Sequence, residues 1–359
     1  MANEIFSVYE GLTLSEDPRT GALTATLKSS VREHLRSQFA SMRVDEFSGN
    51  HEYVRTLRQV AHSVLPASML KVLDEIRTGV RKPTCLVIDN LPSDDVVAAP
   101  GADEVPAAMK PTTVNENTIT VVGALLGEPY SIAEEGSDLV NNLIPSLEDR
   151  LKLTGNGSKR ALTWHIENGR HRVMFGDRDL SPSGVLLSGV VAPKMNGPKT
   201  LVANGRLAAA RLTDHHYRTL RDVPVDLAVP VRHRGDASKQ ALKAHVLSGP
   251  EGLETVTAAF YGTMMSASTA ELAEALEAFR VELDKLKIEI EVTPGRLVYV
   301  PNTYSLHARG AFEPKFDQNG RANRWLQRVF TTTRLDMFEA FYSPAERIYS
   351  VLQDENEGD

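Results

Sequence analysis

From residue 160 onward the chain is cut into short apolar runs: "ALTWHIE", "GVLLSGVVA", "TLVAN", "VDLAVPVRH", "KAHVLS", "RLVYVPN" and "QRVFTTT". Most are bounded by Gly, Pro or Asn. The runs are too short for ordinary helices and rich in β-branched residues, so they read as strands. Many short strands with turn signals between them bury their apolar faces by stacking as a sandwich or closing as a barrel.

The rest of the chain is organised around this β-rich part. Residues 1–80 read as helical, because "SSVREHLRSQFASM" and "HEYVRTLRQVAHSVLPASMLKVLDEIRTG" place apolar residues three and four apart. Pro83 ends that pattern, and "TCLVIDNLP" reads as a buried strand. Residues 92–118 are rich in Pro, Ala, Asp and Glu and read as a long surface loop within one domain. Two helices interrupt the strands. One covers 205–222. The other covers 269–287, with Ser268 and Thr269 as N-cap candidates and Leu272, Leu276, Phe279, Leu283 and Leu286 on one core-facing stripe. The expected layout is a helical part (1–80) packed on a core (81–345) that carries the loop 92–118 and the helix 269–287. An acidic tail (346–359) is expected to fray.

Composition removes several function classes. The chain has 359 residues, 42% hydrophobic and 24% charged, with a net charge of −7 and scattered basic residues. That leaves no footprint for nucleic acid. No apolar run approaches the ~18 residues of a membrane span. The opening "MANEIFSVYEGL" lacks a basic stretch followed by an apolar one, so a cytoplasmic location is expected. Cys85 is the single cysteine, which excludes an internal disulfide and reads as a buried strand thiol.

The chemistry centres on "TWHIENGRHR" (163–172). His165-Ile166-Glu167 alone says little, since about one His-x-acid pair is expected by chance in such a chain. On a strand, however, residues two apart share a face. A second stretch, 296–333, places His307 after the run Leu297–Val300 and Arg324 at the head of "RWLQRVF", 17 positions on. Two imidazoles and one carboxylate hold Fe(II) on one octahedral face and leave positions open. Arg324 offers a planar fork for a carboxylate. His215-His216 is different: on a helix, neighbours diverge by about 100° and cannot share one ion, so these read as exposed. A jelly-roll metal-binding protein and a zinc hydrolase remain open at this point.

His165-Ile166-Glu167, His307 and Arg324-Trp325 resemble the Fe(II)/2-oxoglutarate-dependent oxygenases. "LHARGAFEPKFDQNGRANRWLQRVF" is most similar to the clavaminate synthase-like group, which includes hydroxylases of free amino acids. The resemblance covers roughly residues 80–335. It implies a mainly β fold with flanking helices around a double-stranded β-helix core (jelly-roll, cupin-like). It implies His165, Glu167 and His307 as iron ligands, with Fe(II), 2-oxoglutarate and O2 as the reacting set. Arg324 and Thr200 would hold 2-oxoglutarate, and Arg328 would meet a substrate carboxylate. Ser158, in "LTGNGS", falls in the substrate-binding turn. The implied activity is hydroxylation of an amino acid or derivative. Desaturation or oxidative cyclisation in natural-product biosynthesis would use the same iron site.

Two departures bear on substrate. Glu167 is followed by Asn168-Gly169-Arg170 rather than the family's apolar continuation, which brings Arg170 forward as a substrate contact. In "AAFYGTMMSAS", Gly262 stands where relatives carry an Asp that binds a cationic side chain. A buried cation lacking that partner is costly, so a neutral or acidic substrate side chain is expected.

Overall fold

The computed structural model describes residues 5–101, 104–146, 161–194, 197–228 and 241–352. Along the chain, β1 (Ile5–Tyr9), β2 (Leu12–Asp17) and β3 (Ala22–Leu27) form a meander. Next come α1 (Ser29–Ala40), α2 (Asn50–Val64), α3 (Ala67–Arg77), β4 (Cys85–Asp89), α4 (Val114–Leu126), β5 (Glu128–Ile132) and β6 (Asn141–Leu143). The site region holds β7 (Leu162–His165), β8 (Gly184–Val191) and β9 (Lys199–Asn204), followed by α5 (Gly205–Ala209) and α6 (Asp214–Asp222). Short strands β10 (Val225–Leu227), β11 (Leu242–Ala244), β12 (Leu247–Ser248), β13 (Thr255–Val256) and β14 (Met265–Ser266) lead to α7 (Ala270–Leu286). The last strands are β15 (Ile288–Glu291), β16 (Leu297–Pro301), β17 (Ser305–Arg309), β18 (Trp325–Thr332) and β19 (Ile348–Tyr349).

Two sheets make the core. The larger runs β1-β2-β3-β4-β16-β8-β18-β5-β19, with β6 also on β18; the smaller runs β15-β9-β17-β7. Alternation sorts the strand residues. Val87, Leu187, Val202, Val298, Val300 and Leu326 pack together between the sheets. Leu86, Leu186, Leu297, Tyr299 and Val329 face the other way, onto α1 to α4. Trp164, Ile166, Ala203, Leu306 and Ala308 pack with the apolar stripe of α7. Each sheet thus buries one face against its partner and the other against helices, the jelly-roll arrangement with flanking helices.

Several segments differ from the sequence reading. The N-terminal part is not helical throughout: β1 to β3 precede α1 and extend the larger sheet through a parallel pairing of β3 with β4. The alternation Leu12, Leu14 and Leu23, Ala25, Leu27 is buried, with Gly11 turning between strands at φ +77°. The loop reading of 92–118 fails at its end, since α4 starts at Val114. Its Asn115 and Asn117 look polar but are buried and bonded, Asn117 donating to the Phe39 and Met42 carbonyls. The single helix over 205–222 is two, because the Thr213 hydroxyl caps α6 by accepting from the His216 N–H. His215 is exposed. The tail is docked as far as 352: β19 pairs with β5, and the Glu346 carboxylate accepts from the His51 N–H at the start of α2. Residues 353–359 lie outside the described residues. Helix α7 matches its expected span, with Thr269 accepting from the Leu272 N–H.

Candidate metal centre

His165 ends β7 and His307 lies inside β17, and the two are direct cross-strand partners. Opposed residues in a sheet point to the same side, and the imidazole centroids are 4.1 Å apart. Glu167 returns to that side two residues after His165, its Oε2 3.5 Å from His307 Nε2. One ligand atom from each of the three lies within 4.8 Å of the others. Among the described residues no other trio of His, Cys, Asp or Glu is so arranged.

The surroundings fix these side chains. His165 Nδ1 is 2.8 Å from the Thr163 carbonyl, which can only accept, so the ring proton sits on Nδ1 and Nε2 keeps its lone pair. Asn302, fully buried, grips the Glu167 backbone twice. Its Oδ1 accepts from the Glu167 N–H at 2.8 Å, and its Nδ2 donates to the Glu167 carbonyl at 2.9 Å and to the Pro182 carbonyl. Burial, then the neighbouring His307, push the His165 imidazole down to about 3. Burial opposes ionisation of Glu167, but Arg328 and His307 outweigh it and hold the carboxyl well below its ordinary range. A neutral imidazole and an ionised carboxylate are the forms a divalent cation needs.

Two arginines on β18 and its approach face the same interior. Arg324 is buried with its guanidinium 4.8 Å over the Phe312 ring. Burial, then the charge of Arg309, push it down to about 9. No carboxylate among the described residues pairs with it. A guanidinium left so is costly, and an incoming carboxylate would relieve it. Thr200 on β9 is buried directly opposite Arg309 on β17. Arg328 donates to Glu135 Oε2 at 2.6 Å, while its other amino nitrogen is 3.6 Å from Glu167 Oε1. Burial disfavours its charge, and Glu135 and Glu167 more than restore it.

The departures after Glu167 have different fates. Asn168, at φ +50°, donates to Glu135 Oε1 at 2.9 Å and so supports the Arg328 partner. Arg170 is buried and lines a cavity of about 20 Å³ with Ile166, Leu227, Thr257, Tyr261 and Met264. Tyr261, in the same lining, stands edge-on to the His165 ring at 5.2 Å between centroids, so the cavity that holds Arg170 borders the strand carrying His165. Ser158 lies outside the described residues. The sequence reading gave no role to Glu135, Asn302 or Arg309, which the fold brings beside Arg328, Glu167 and Thr200. Only Arg309 carried a signal, two positions after His307 and therefore on the same strand face.

A family model described as "Taurine catabolism dioxygenase TauD, TfdA family" matches residues 113–330, more than half of the chain. The chain belongs to this family. It is accordingly an Fe(II)/2-oxoglutarate-dependent oxygenase, not a zinc hydrolase. The residues fit both groups: two imidazole nitrogens and a carboxylate oxygen for the iron, and a buried guanidinium with no acid partner among the described residues for a dicarboxylate.

Other oxygenases resemble the chain along most of its length. L-asparagine oxygenase from Streptomyces coelicolor is 24% identical over 285 residues, 79% of this chain and 81% of that one. Clavaminate synthase 2 from Streptomyces clavuligerus is 24% identical over 270 residues, 75% and 80% of the two chains. Asparagine oxygenase solved with Fe(II), 2S,3S-3-hydroxyasparagine and succinate superposes with a TM-score of 0.76 at 22% identity, covering 91% of this chain and 99% of that one. The non-heme iron oxygenase OrfP, solved with Fe, succinate and (3S)-hydroxy-L-Arg, gives 0.75 at 20% identity with the same coverage. No helix among the described residues is long and apolar enough to cross a membrane.

Proposed function

We propose that this oxygenase hydroxylates an unactivated C–H bond of a free amino acid or a close derivative. The observation that carries the reading is the Arg328–Glu135 pair beside Glu167, with side chains only 11% and 4% exposed. A buried ion pair is a poor source of stability. It is, however, complementary to a zwitterion: the α-carboxylate takes Arg328 and the α-ammonium takes Glu135, and each buried charge keeps a partner. The relatives solved with hydroxyasparagine and hydroxyarginine support the same substrate class.

In this reading His165, Glu167 and His307 hold the ion, and Arg324 and Thr200 hold 2-oxoglutarate. Bound Fe(II) supplies oxygen activation coupled to decarboxylation of 2-oxoglutarate to succinate and CO2. Asn302 keeps Glu167 aimed inward, and the Thr163 carbonyl keeps His165 in its metal-binding tautomer. Arg328 and Glu135 fix the common end of the amino acid, so its side chain decides which substrates fit. With Gly262 supplying no carboxylate, neutral or acidic side chains are favoured over arginine.

The test is an amino-acid panel scored by succinate release and product mass. A gain of one oxygen atom on a neutral or acidic amino acid supports the reading. Loss of two hydrogens would assign desaturation or ring closure to the same residues. No turnover of any amino acid would contradict the substrate class, and a strong preference for arginine would contradict the weight placed on Gly262.

A further inference from the structure

Arg309 belongs to no role assigned so far. It lies two residues after His307 on β17, so its side chain shares the inward face. Its cross-strand partner on β9 is Thr200, and opposed residues of a sheet point to the same side. Its guanidinium is 5.5 Å from the centre of the Phe312 ring, and that of Arg324 is 4.8 Å from the same centre. Two guanidiniums on one aromatic platform repel each other at close range, and the charge of Arg309 contributes to the depression of Arg324. Such an arrangement suits an anion that both can share.

We infer that Arg309 is a second guanidinium for the distal carboxylate of 2-oxoglutarate, acting with Arg324 and Thr200. This rests on the reading that Arg324 takes that carboxylate. A carboxylate has four lone-pair directions and accepts from two forks without crowding. Placing Arg309 next in line to an iron ligand would also tie the far end of the co-substrate to the strand that carries His307.

The test compares anaerobic affinity for 2-oxoglutarate and for 2-oxobutyrate, which lacks the distal carboxylate. It uses the Fe(II)-loaded protein, the visible charge-transfer band and the ligand-induced shift in melting temperature. Arg309→Gln is expected to weaken 2-oxoglutarate about 10- to 100-fold, the loss of one charge-assisted contact, and to leave 2-oxobutyrate unchanged. Arg309→Lys, which keeps the charge if the glutamine variant folds poorly, is expected to fall between. Unchanged 2-oxoglutarate affinity in both variants, with Arg324→Ala impaired, would overturn this inference alone. Equal weakening of both oxo acids would overturn it as well, by making Arg309 a structural residue. Unchanged affinity in Arg324→Ala too would overturn the reading of Arg324 beneath it.

Discussion

At the residue scale, charge and burial decide most of what the site can do. Arg324 is buried opposite no acid among the described residues, so it burdens the protein without ligand. Arg324→Met is therefore expected to raise apoprotein stability by about 1 kcal/mol in urea unfolding, while removing the stabilisation that 2-oxoglutarate gives the wild type. Glu135→Gln should raise KM for the amino acid at least tenfold with 2-oxoglutarate affinity unchanged; an equal effect on both would place Glu135 outside the substrate pocket. His165 gives a pH signature. Its pKa falls from an ordinary 6.5 to about 3 on folding. The unfolded state therefore binds the proton first, and apoprotein stability declines as pH falls from about 6.5 towards 3. His165→Asn should flatten that part of the profile. The clustering of His165, Glu167 and His307 was legible because few residue types bind iron and strand spacing limits their placement. Glu135 was not: its part depends on a fold that brings residue 135 to residue 328, and no local pattern announces that.

The elements show which local signals survive packing. Helix α7 was readable because its stripe and its cap agree, and Thr269→Ala should cost about 1 kcal/mol of stability. Helix α4 was hidden because it is buried nearly all round, so its amphipathic pattern is weak. Strands β1 to β3 carry a clear alternation, but the strong helical periodicity that follows from Ser29 overshadowed it. The loop between Asp89 and α4 is fastened rather than loose. Glu104 takes a forked contact from Arg321, and Ala99 N–H donates to the Ala322 carbonyl at 2.9 Å. That clasp holds the segment leading into Arg324. The connection into β17 has a similar role through Asn302. Asn302→Ala should lower Fe(II) affinity at least tenfold, because Glu167 loses both backbone anchors; unchanged affinity would show that the strand alone positions it.

Across the whole molecule, the two sheets enclose a charged cluster beside an apolar inter-sheet core, with apolar flanks outside. Helices α1 to α4 cover the larger sheet and α7 with α5 and α6 cover the smaller one. His165 and His307 stand on the smaller sheet, with Glu167 just beyond β7, while Arg328 stands on the larger sheet and Arg324 leads into it. The site therefore exists only when both sheets are packed. This division explains why "TWHIENGRHR" could not be interpreted alone: His307, which completes the cluster, stands on another strand 140 positions after Glu167. The most direct test is anaerobic addition of Fe(II) and 2-oxoglutarate to the metal-free protein. The account predicts a visible charge-transfer band that saturates with one Fe(II) per chain and is absent from a His165→Ala/His307→Ala double variant. No band in the wild type, or a band that survives in the double variant, would contradict it.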